Sequence, residues 1–254
     1  MGRTIAIANQ KGGVGKTTTA INLSACLAEL GKKVLLIDTD PQGNTTTGVG
    51  VKKNELETTI YELMIGDKTF EECVVRNVAG GMDLLPANVN LSGAEIDFID
   101  QENKQFILRD KLKDIKKDYD FIIIDCPPAL SMLTINAMTM ADTVLVTVQC
   151  EYYALDGLSQ LFNTVNLIRA RMHGSLEMDG IVFTMYDSRT NLSYEVVENV
   201  KNNIREHVYK TIIPRNIRLA EAPSYGQPIN LYEPKSAGAE AYRLLAKEVL
   251  ERKL

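Results

Sequence analysis

Long apolar runs are missing from this sequence. Nothing approaches the roughly 18 uninterrupted apolar residues of a membrane span, so an integral membrane class is not expected. A charged-then-apolar leader with a small-residue cleavage site is missing too, since a strand-like run and a glycine-rich loop begin almost at once. Cysteine is scarce: Cys26, Cys73, Cys126 and Cys150 lie far apart and form no C-x-x-C pair. Buried free thiols in a cytoplasmic protein are therefore expected. No Ser/Pro-rich linker, low-complexity stretch or internal repeat divides the chain, so residues 1–254 are expected to form one domain. Excess basic charge is also lacking. The net charge is −5, with 15 basic against 20 acidic residues up to Cys150 and 13 against 13 from Glu151 onward. A nucleic-acid-binding face is expected only as a local patch, and only on the neutral part.

What is present is an ordinary globular composition, 45% apolar and 24% charged, on a chain long enough for a full core. Strand-like runs fall at 4–8, 33–37, 82–85, 121–124, 143–148, 180–184 and 210–213, and helical patterns at 20–30, 104–117, 131–140, 155–172, 194–206 and 237–253. Several strand runs are continuously apolar, Phe121-Ile122-Ile123-Ile124 most clearly. Strands covered on both faces read this way, so the expected class is α/β: a doubly wound, mostly parallel sheet with helices on both faces.

Residues Lys11-Gly12-Gly13-Val14-Gly15-Lys16-Thr17-Thr18 follow the first strand run and open the first helical pattern. A glycine cluster alone can be no more than a flexible turn. Between a strand and a helix, its backbone N–H groups converge on one point and suit the phosphates of a nucleoside triphosphate. Lys16 adds a cation for the β- and γ-phosphates, and Thr17 offers a hydroxyl to Mg²⁺. The strict G-x-x-x-x-G-K-[ST] pattern fails at its first glycine, where Gln10 stands, and a second lysine, Lys11, occupies the mouth of the loop.

Two further constellations sit at expected strand ends, where an open α/β sheet places its ligands. Asp38-Thr39-Asp40-Pro41-Gln42-Gly43-Asn44 follows Val34–Ile37, and Asp125-Cys126-Pro127-Pro128 follows Phe121–Ile124. Both are also good turn formers. Beside a phosphate loop, Asp125 reads as a carboxylate on the Mg²⁺ shell, and Asp38 and Asp40 as metal-linked or water-positioning groups.

Taken together, Lys11–Thr17, Ile37–Gly43 and Ile124–Pro128 resemble the deviant Walker A ATPases of the ParA/MinD group of P-loop NTPases. The blocks Gln149-Cys150-Glu151-Tyr152-Tyr153-Ala154-Leu155, Pro214-Arg215-Asn216 and Glu221-Ala222-Pro223-Ser224-Tyr225-Gly226 are more specific, and resemble chromosomal ParA proteins, called Soj in Gram-positive bacteria. The resemblance covers essentially the whole chain. It implies ATP and Mg²⁺ as cofactors, with Thr17, Asp38 and Asp125 on the metal side, and Pro214 and Asn216 beside the adenine. Lys16 would hold the β/γ-phosphates, and Lys11 would reach the phosphates bound by a second subunit of an ATP-dependent homodimer. Asp40 would orient the attacking water in a slow hydrolysis stimulated by a ParB-type partner. Arg189 and Arg218 resemble arginines used for sequence-independent binding of double-stranded DNA, and Lys201, Arg205 and Lys210 could extend that patch. The implied protein segregates or positions chromosomal DNA and is nucleoid-associated in the cytoplasm.

Three other readings share the fold. A MinD-like membrane-positioning ATPase needs a cationic amphipathic terminal helix, whereas Ala239–Leu254 mixes Glu with Lys and Arg on its polar face, as a packed helix would, and no membrane partner is expected. An iron–sulfur reductase needs bridging cysteines, and the residues around Cys126 and Cys150 do not resemble such ligands. An amide-forming ligase would need a substrate pocket that the sequence does not identify. A ParA-like positioner of a protein cargo stays open.

Overall fold

Each apolar run becomes a strand whose successive side chains enter two different cores. The structure, a computed structural model, describes residues 2–151 and 154–252. Among the described residues, β1 (Arg3–Ala8), β2 (Val34–Asp38), β3 (Val75–Val78), β4 (Met82–Leu85), β5 (Phe121–Asp125), β6 (Thr143–Gln149), β7 (Glu177–Tyr186) and β8 (Val208–Pro214) form one sheet. Its order is β3-β4-β2-β5-β1-β6-β7-β8, and of its pairings β3–β4 is antiparallel while the others are parallel. Along β1, β2 and β5, Ala6, Ala8, Leu35, Ile37, Ile122 and Ile124 face one core. Ile5, Ile7, Leu36 and Ile123 face the other. This strict alternation is why continuous apolar runs read as doubly covered strands.

Five long helices cover the faces: α1 (Lys16–Glu29), α2 (Met132–Met140), α3 (Ala154–Arg171), α4 (Asn191–Asn203) and α5 (Ala237–Glu251). Helices α2, α3 and α4 contribute to the first core, and α1 and α5 to the second. The apolar side of α5, including Tyr242, Leu245, Ala246 and Val249, is buried, and the helix packs on α1 and β8. It is used inside the molecule, as its mixed polar face suggests; Lys253 and Leu254, at the end of the expected pattern, lie outside the described residues. No helix among the described residues is long and apolar enough to cross a membrane. The four cysteines are buried and free. Burial pushes the thiols of Cys26 and Cys150 up to about 12, and that of Cys126 further in the same direction.

The expected helix over 104–117 is corrected. It is a 3₁₀ turn at Lys104–Phe106, a short helix at Ile107–Leu112 and a second 3₁₀ turn at Lys116–Asp118. The Asn136 side chain takes the Leu108 N–H at 3.1 Å and gives its amide to the Lys104 carbonyl at 2.8 Å, fixing the entry turn from outside. Beyond Leu112, Ile115 N–H bonds to the Leu112 carbonyl, three residues back, and the α-helical ladder ends. Strand β3 and the short helices Ile60–Ile65 and Phe70–Cys73 lie outside the expected pattern; both helices open on a capping box, Thr59 with Glu62 and Thr69 with Glu72.

Candidate functional site

The loop between β1 and α1 is pinned to the sheet at both ends. Asn9 donates its amide to the Thr147 carbonyl of β6 at 2.7 Å and accepts the Lys11 N–H at 3.0 Å. Farther on, Thr184 of β7 donates its hydroxyl to the Val14 carbonyl at 2.9 Å, over a buried Val14. Between these anchors Gly13 and Gly15 turn through the left-handed region, with φ of 74° and 84°. Gly15 is also the N-cap of α1, which has no side-chain cap and no acidic residue in its first turn. The N–H groups of Lys16, Thr17 and Thr18 and the positive end of the helix are thus left for an anion. Lys16 is buried, and its ammonium donates to the Lys11 carbonyl at 3.0 Å. Burial lowers its pKa, against the opposing pull of the Asp125 carboxylate.

Asp38 and Asp125 end the neighbouring strands β2 and β5 in register, and both are fully buried. Asp38 Oδ2 accepts the N–H of Thr46 at 2.9 Å and its hydroxyl at 2.7 Å, and Asp38 Oδ1 accepts the Asp40 N–H at 3.1 Å. Asp125 Oδ2 accepts the hydroxyls of Thr17 and Thr45, each at 2.7 Å. Asp125 Oδ1 is buried without a hydrogen-bond partner among the described residues. Burial, then the other carboxylate, raises the Asp38 pKa to about 8; burial raises that of Asp125 to about 6. Two buried acids, one with an orphaned oxygen beside a threonine hydroxyl, form a hard oxygen donor set suited to Mg²⁺.

Gly12, Gly13, Gly15, Lys16, Thr18 and Asp40 line a cavity of about 400 Å³. Asp40 is half-buried at its rim, its Oδ1 accepting the Gln42 N–H at 2.9 Å. An apolar cavity of about 370 Å³ adjoins it, lined by Pro214, Asn216, Leu219 and Tyr242, and the two share Gly15, Thr18 and Met185. Asn216 is the cap of the short helix Ile217–Glu221, its side chain accepting the Arg218 N–H at 2.8 Å. The phosphate-loop residues, the three aspartates, Pro214 and Asn216 therefore converge at the carboxyl ends of the parallel strands. The backbone adds Met185, a non-glycine residue at φ 52° that stands where the two cavities meet. Neither Met185 nor Thr184 carries a sequence signal. Thr45 and Thr46 do, within a polar Asn-Thr-Thr-Thr run after the aspartates.

Lys11 stands apart from the cavity floor. Its ammonium pairs with Glu151 at 2.5 Å, both side chains about half exposed. Tyr152 and Tyr153 of that block lie outside the described residues. Arg189 follows β7 and Arg218 the neighbouring edge strand β8, on the same side of the sheet as the cavities. Arg189 makes a two-pronged pair with Asp187 at 2.8 and 2.7 Å, and Arg218 pairs with Glu221 at 2.8 Å. Lys201, at the far end of α4, and Arg205 and Lys210, before and early in β8, sit toward the opposite end of the sheet.

A family model described as an AAA domain matches residues 2–178. The chain is 52% identical over 249 residues to the sporulation initiation inhibitor protein Soj of Bacillus subtilis, covering 98% of each chain. It is 48% identical over 252 residues to the chromosome partitioning protein ParA of Myxococcus xanthus, covering 99% of this chain and 89% of the other. Among solved structures it is similar to a cobyrinic acid a,c-diamide synthase from Mycobacterium smegmatis with bound ADP and magnesium. That match has a TM-score of 0.88 and 38% identity, over 98% of this chain and 94% of the other.

Proposed function

The chain belongs to the Soj/ParA family of chromosome-partitioning P-loop ATPases, and from that premise we propose that it is an ATP-driven, DNA-binding dimer that segregates or positions chromosomal DNA. ATP lies across the joined cavities. Its base sits against Pro214 and Asn216, and its phosphates on the open N–H groups of α1 and on Lys16. Thr17, Asp38 and Asp125 would hold Mg²⁺, which would supply positive charge beside the β/γ-phosphates. Asp40 positions the attacking water at the rim. The observation that carries the reading is Lys11: it is half exposed, and among the described residues its ammonium is tied only to a half-exposed glutamate, a pair worth little in water. It can exchange Glu151 for a phosphate bound by a second subunit, so that ATP holds two protomers together, much as an arginine finger completes a site in trans.

Arg189 and Arg218 then lie twice on one dimer, and each phosphate they engage releases counterions, so modest local charge suffices for sequence-independent DNA binding. Hydrolysis is slow until a ParB-type protein accelerates it, and the protein is cytoplasmic and nucleoid-associated. The buried apolar side of α5 favours this over a membrane-positioning role. The test is binding to duplex DNA of unrelated sequence at low and moderate salt, with ATP, with ADP and without nucleotide. Salt-sensitive binding with ATP alone is expected; an ATP dimer that binds no DNA in any state would overturn it.

A further inference from the structure

The negative charge of this chain is concentrated in one segment. Residues Glu55 to Glu102 hold eleven acidic and two basic residues, a net of −9, while the rest of the chain is net positive. This segment also carries three of the most exposed large apolar side chains: Val89 at 70%, Ile96 at 72% and Ile99 at 60%. Ile96 and Ile99 are one turn apart, since the Ile99 N–H bonds to the Ile96 carbonyl at 3.1 Å, while Phe98 between them is fully buried and anchors the turn. Asp97, Asp100 and Glu102, all exposed, lie beside them in the chain, and the Lys104 ammonium donates to the Ile99 carbonyl at 2.7 Å. An anchored turn showing isoleucines beside three exposed carboxylates is unlike a solvated loop, which has no reason to present apolar side chains.

We propose that Val89, Ile96 and Ile99, with Asp100 and Glu102, form the docking surface for a cationic, amphipathic segment of a partner protein. Charge decides the occupant. A second copy of this chain would bring Asp97, Asp100 and Glu102 against the same carboxylates, and anionic lipid or nucleic acid would be repelled in the same way. A segment that alternates Lys or Arg with apolar residues satisfies both the isoleucines and the carboxylates.

The surface also adjoins the catalytic segment. Strand β4 runs parallel to β2, and the chain leaving it meets the residues after Asp38 at two points. The Ala87 N–H donates to the Thr46 hydroxyl at 2.9 Å, and that hydroxyl in turn donates to Asp38. The Ala87 carbonyl lies so close to Gly43 that a Cβ there would come within 2.7 Å of it. Val89 follows two residues later. A partner seated on this surface bears on Gly43–Thr46, the segment that follows Asp40 and carries the threonines bonded to Asp125 and Asp38. The inference rests on the partner-stimulated hydrolysis proposed above, and names where that partner docks.

The test compares the full-length protein with two variants, V89S/I96S/I99S and D100K/E102K, neither of which touches the nucleotide cavities. The first readout is ATP turnover with DNA, with and without the ParB-type protein. Both variants should lose stimulation by about tenfold or more, from lost apolar contact or like-charge repulsion, with unstimulated turnover and ATP dimerisation unchanged. Stimulation equal to the unaltered protein in both variants would overturn the proposal, as would altered dimerisation, which would mark the surface as a contact between copies. The second readout is direct binding of a labelled synthetic peptide alternating lysine and leucine. Salt-sensitive binding to the unaltered protein, lost in D100K/E102K, supports the surface even if the ParB-type protein stimulates nothing, a result that would sink only the proposed function. Equal peptide binding to all three proteins would overturn the surface.

Discussion

At the scale of single residues, the site combines groups that are unfavourable when the protein is empty. Asp125 and Asp38 are both fully buried, burial raises the pKa of each, and the Asp125 carboxylate adds to the cost of ionising Asp38. A carboxyl whose folded pKa exceeds its unfolded value keeps its proton longer when folded. Its contribution to stability is therefore complete below about 4 and is lost as pH rises through the folded values, about 6 for Asp125 and about 8 for Asp38. Metal- and nucleotide-free protein should melt at higher temperature near pH 5 than near pH 8. Asp125→Asn should flatten that slope. Its Oδ1 has no partner among the described residues, so a neutral amide can stand there, while the other oxygen still accepts from Thr17 and Thr45. The expected gain is on the order of 2 kcal/mol near pH 8, together with loss of Mg²⁺-dependent nucleotide binding. A variant less stable than its parent near pH 8 would show that the ionised carboxylate is not the costly group. Asp40→Ala removes a rim carboxylate whose backbone partner is exposed, so the fold should be indifferent to it. Turnover should fall by roughly 10²-fold or more while an ATP dimer still forms; undiminished single-turnover hydrolysis would remove Asp40 from the reaction.

At the scale of elements, the two segments that surround the nucleotide are joined to each other. The turn after Asn44–Gly48 and the turn after Ala222–Tyr225 meet through Gly50 and Gly226, where a Cβ on Gly226 would lie 2.6 Å from the Gly50 Cα. Gly226 also has a φ of 63°, so Gly226→Ala combines a backbone clash with a strained dihedral. A loss of about 2–4 kcal/mol is expected, read as a lower urea midpoint at unchanged slope; a midpoint within error of the parent would show that the two turns separate freely. Such contacts explain what the sequence could and could not reveal. Strands β1, β2, β5 and β6 were legible because burial on both faces writes itself as unbroken apolar runs. Strand β3 was not: it is a four-residue edge with Arg76 and Asn77 exposed, and nothing in it alternates. The aspartates at the strand ends were legible from their position after apolar runs. Met185 was not, because its role comes from a backbone dihedral and from two cavities lined by distant segments. The capping boxes at Thr59 and Thr69 show that some of the missed helices had left a readable mark.

At the scale of the whole molecule, charge is sorted. Net negative charge gathers between Glu55 and Glu102, the segment that includes β3 and β4, and Arg189 and Arg218 follow the strands at the opposite side of the sheet. One end would thereby be repelled from nucleic acid, and the other is the end that the proposed function brings to it. The arginines are nevertheless held by acids of their own, Arg189 by both oxygens of Asp187. An exposed pair of this kind contributes roughly 0–1 kcal/mol, so a DNA phosphate can take the guanidinium at little cost. Asp187→Asn keeps an oxygen for the Arg189 N–H that Asp187 Oδ1 now accepts at 3.1 Å, and so preserves the turn while removing the competing charge. If Arg189 meets DNA in the ATP dimer, that variant should bind unrelated duplex about threefold more tightly. Arg189→Ala should bind more weakly, with the slope of log affinity against log salt shallower by about two, one phosphate contact for each protomer. Opposite changes in the two variants place Arg189 on the DNA. Equal affinity in both, with the dimer intact, would leave Arg189 a solvated charge and move the DNA-binding face elsewhere on the dimer.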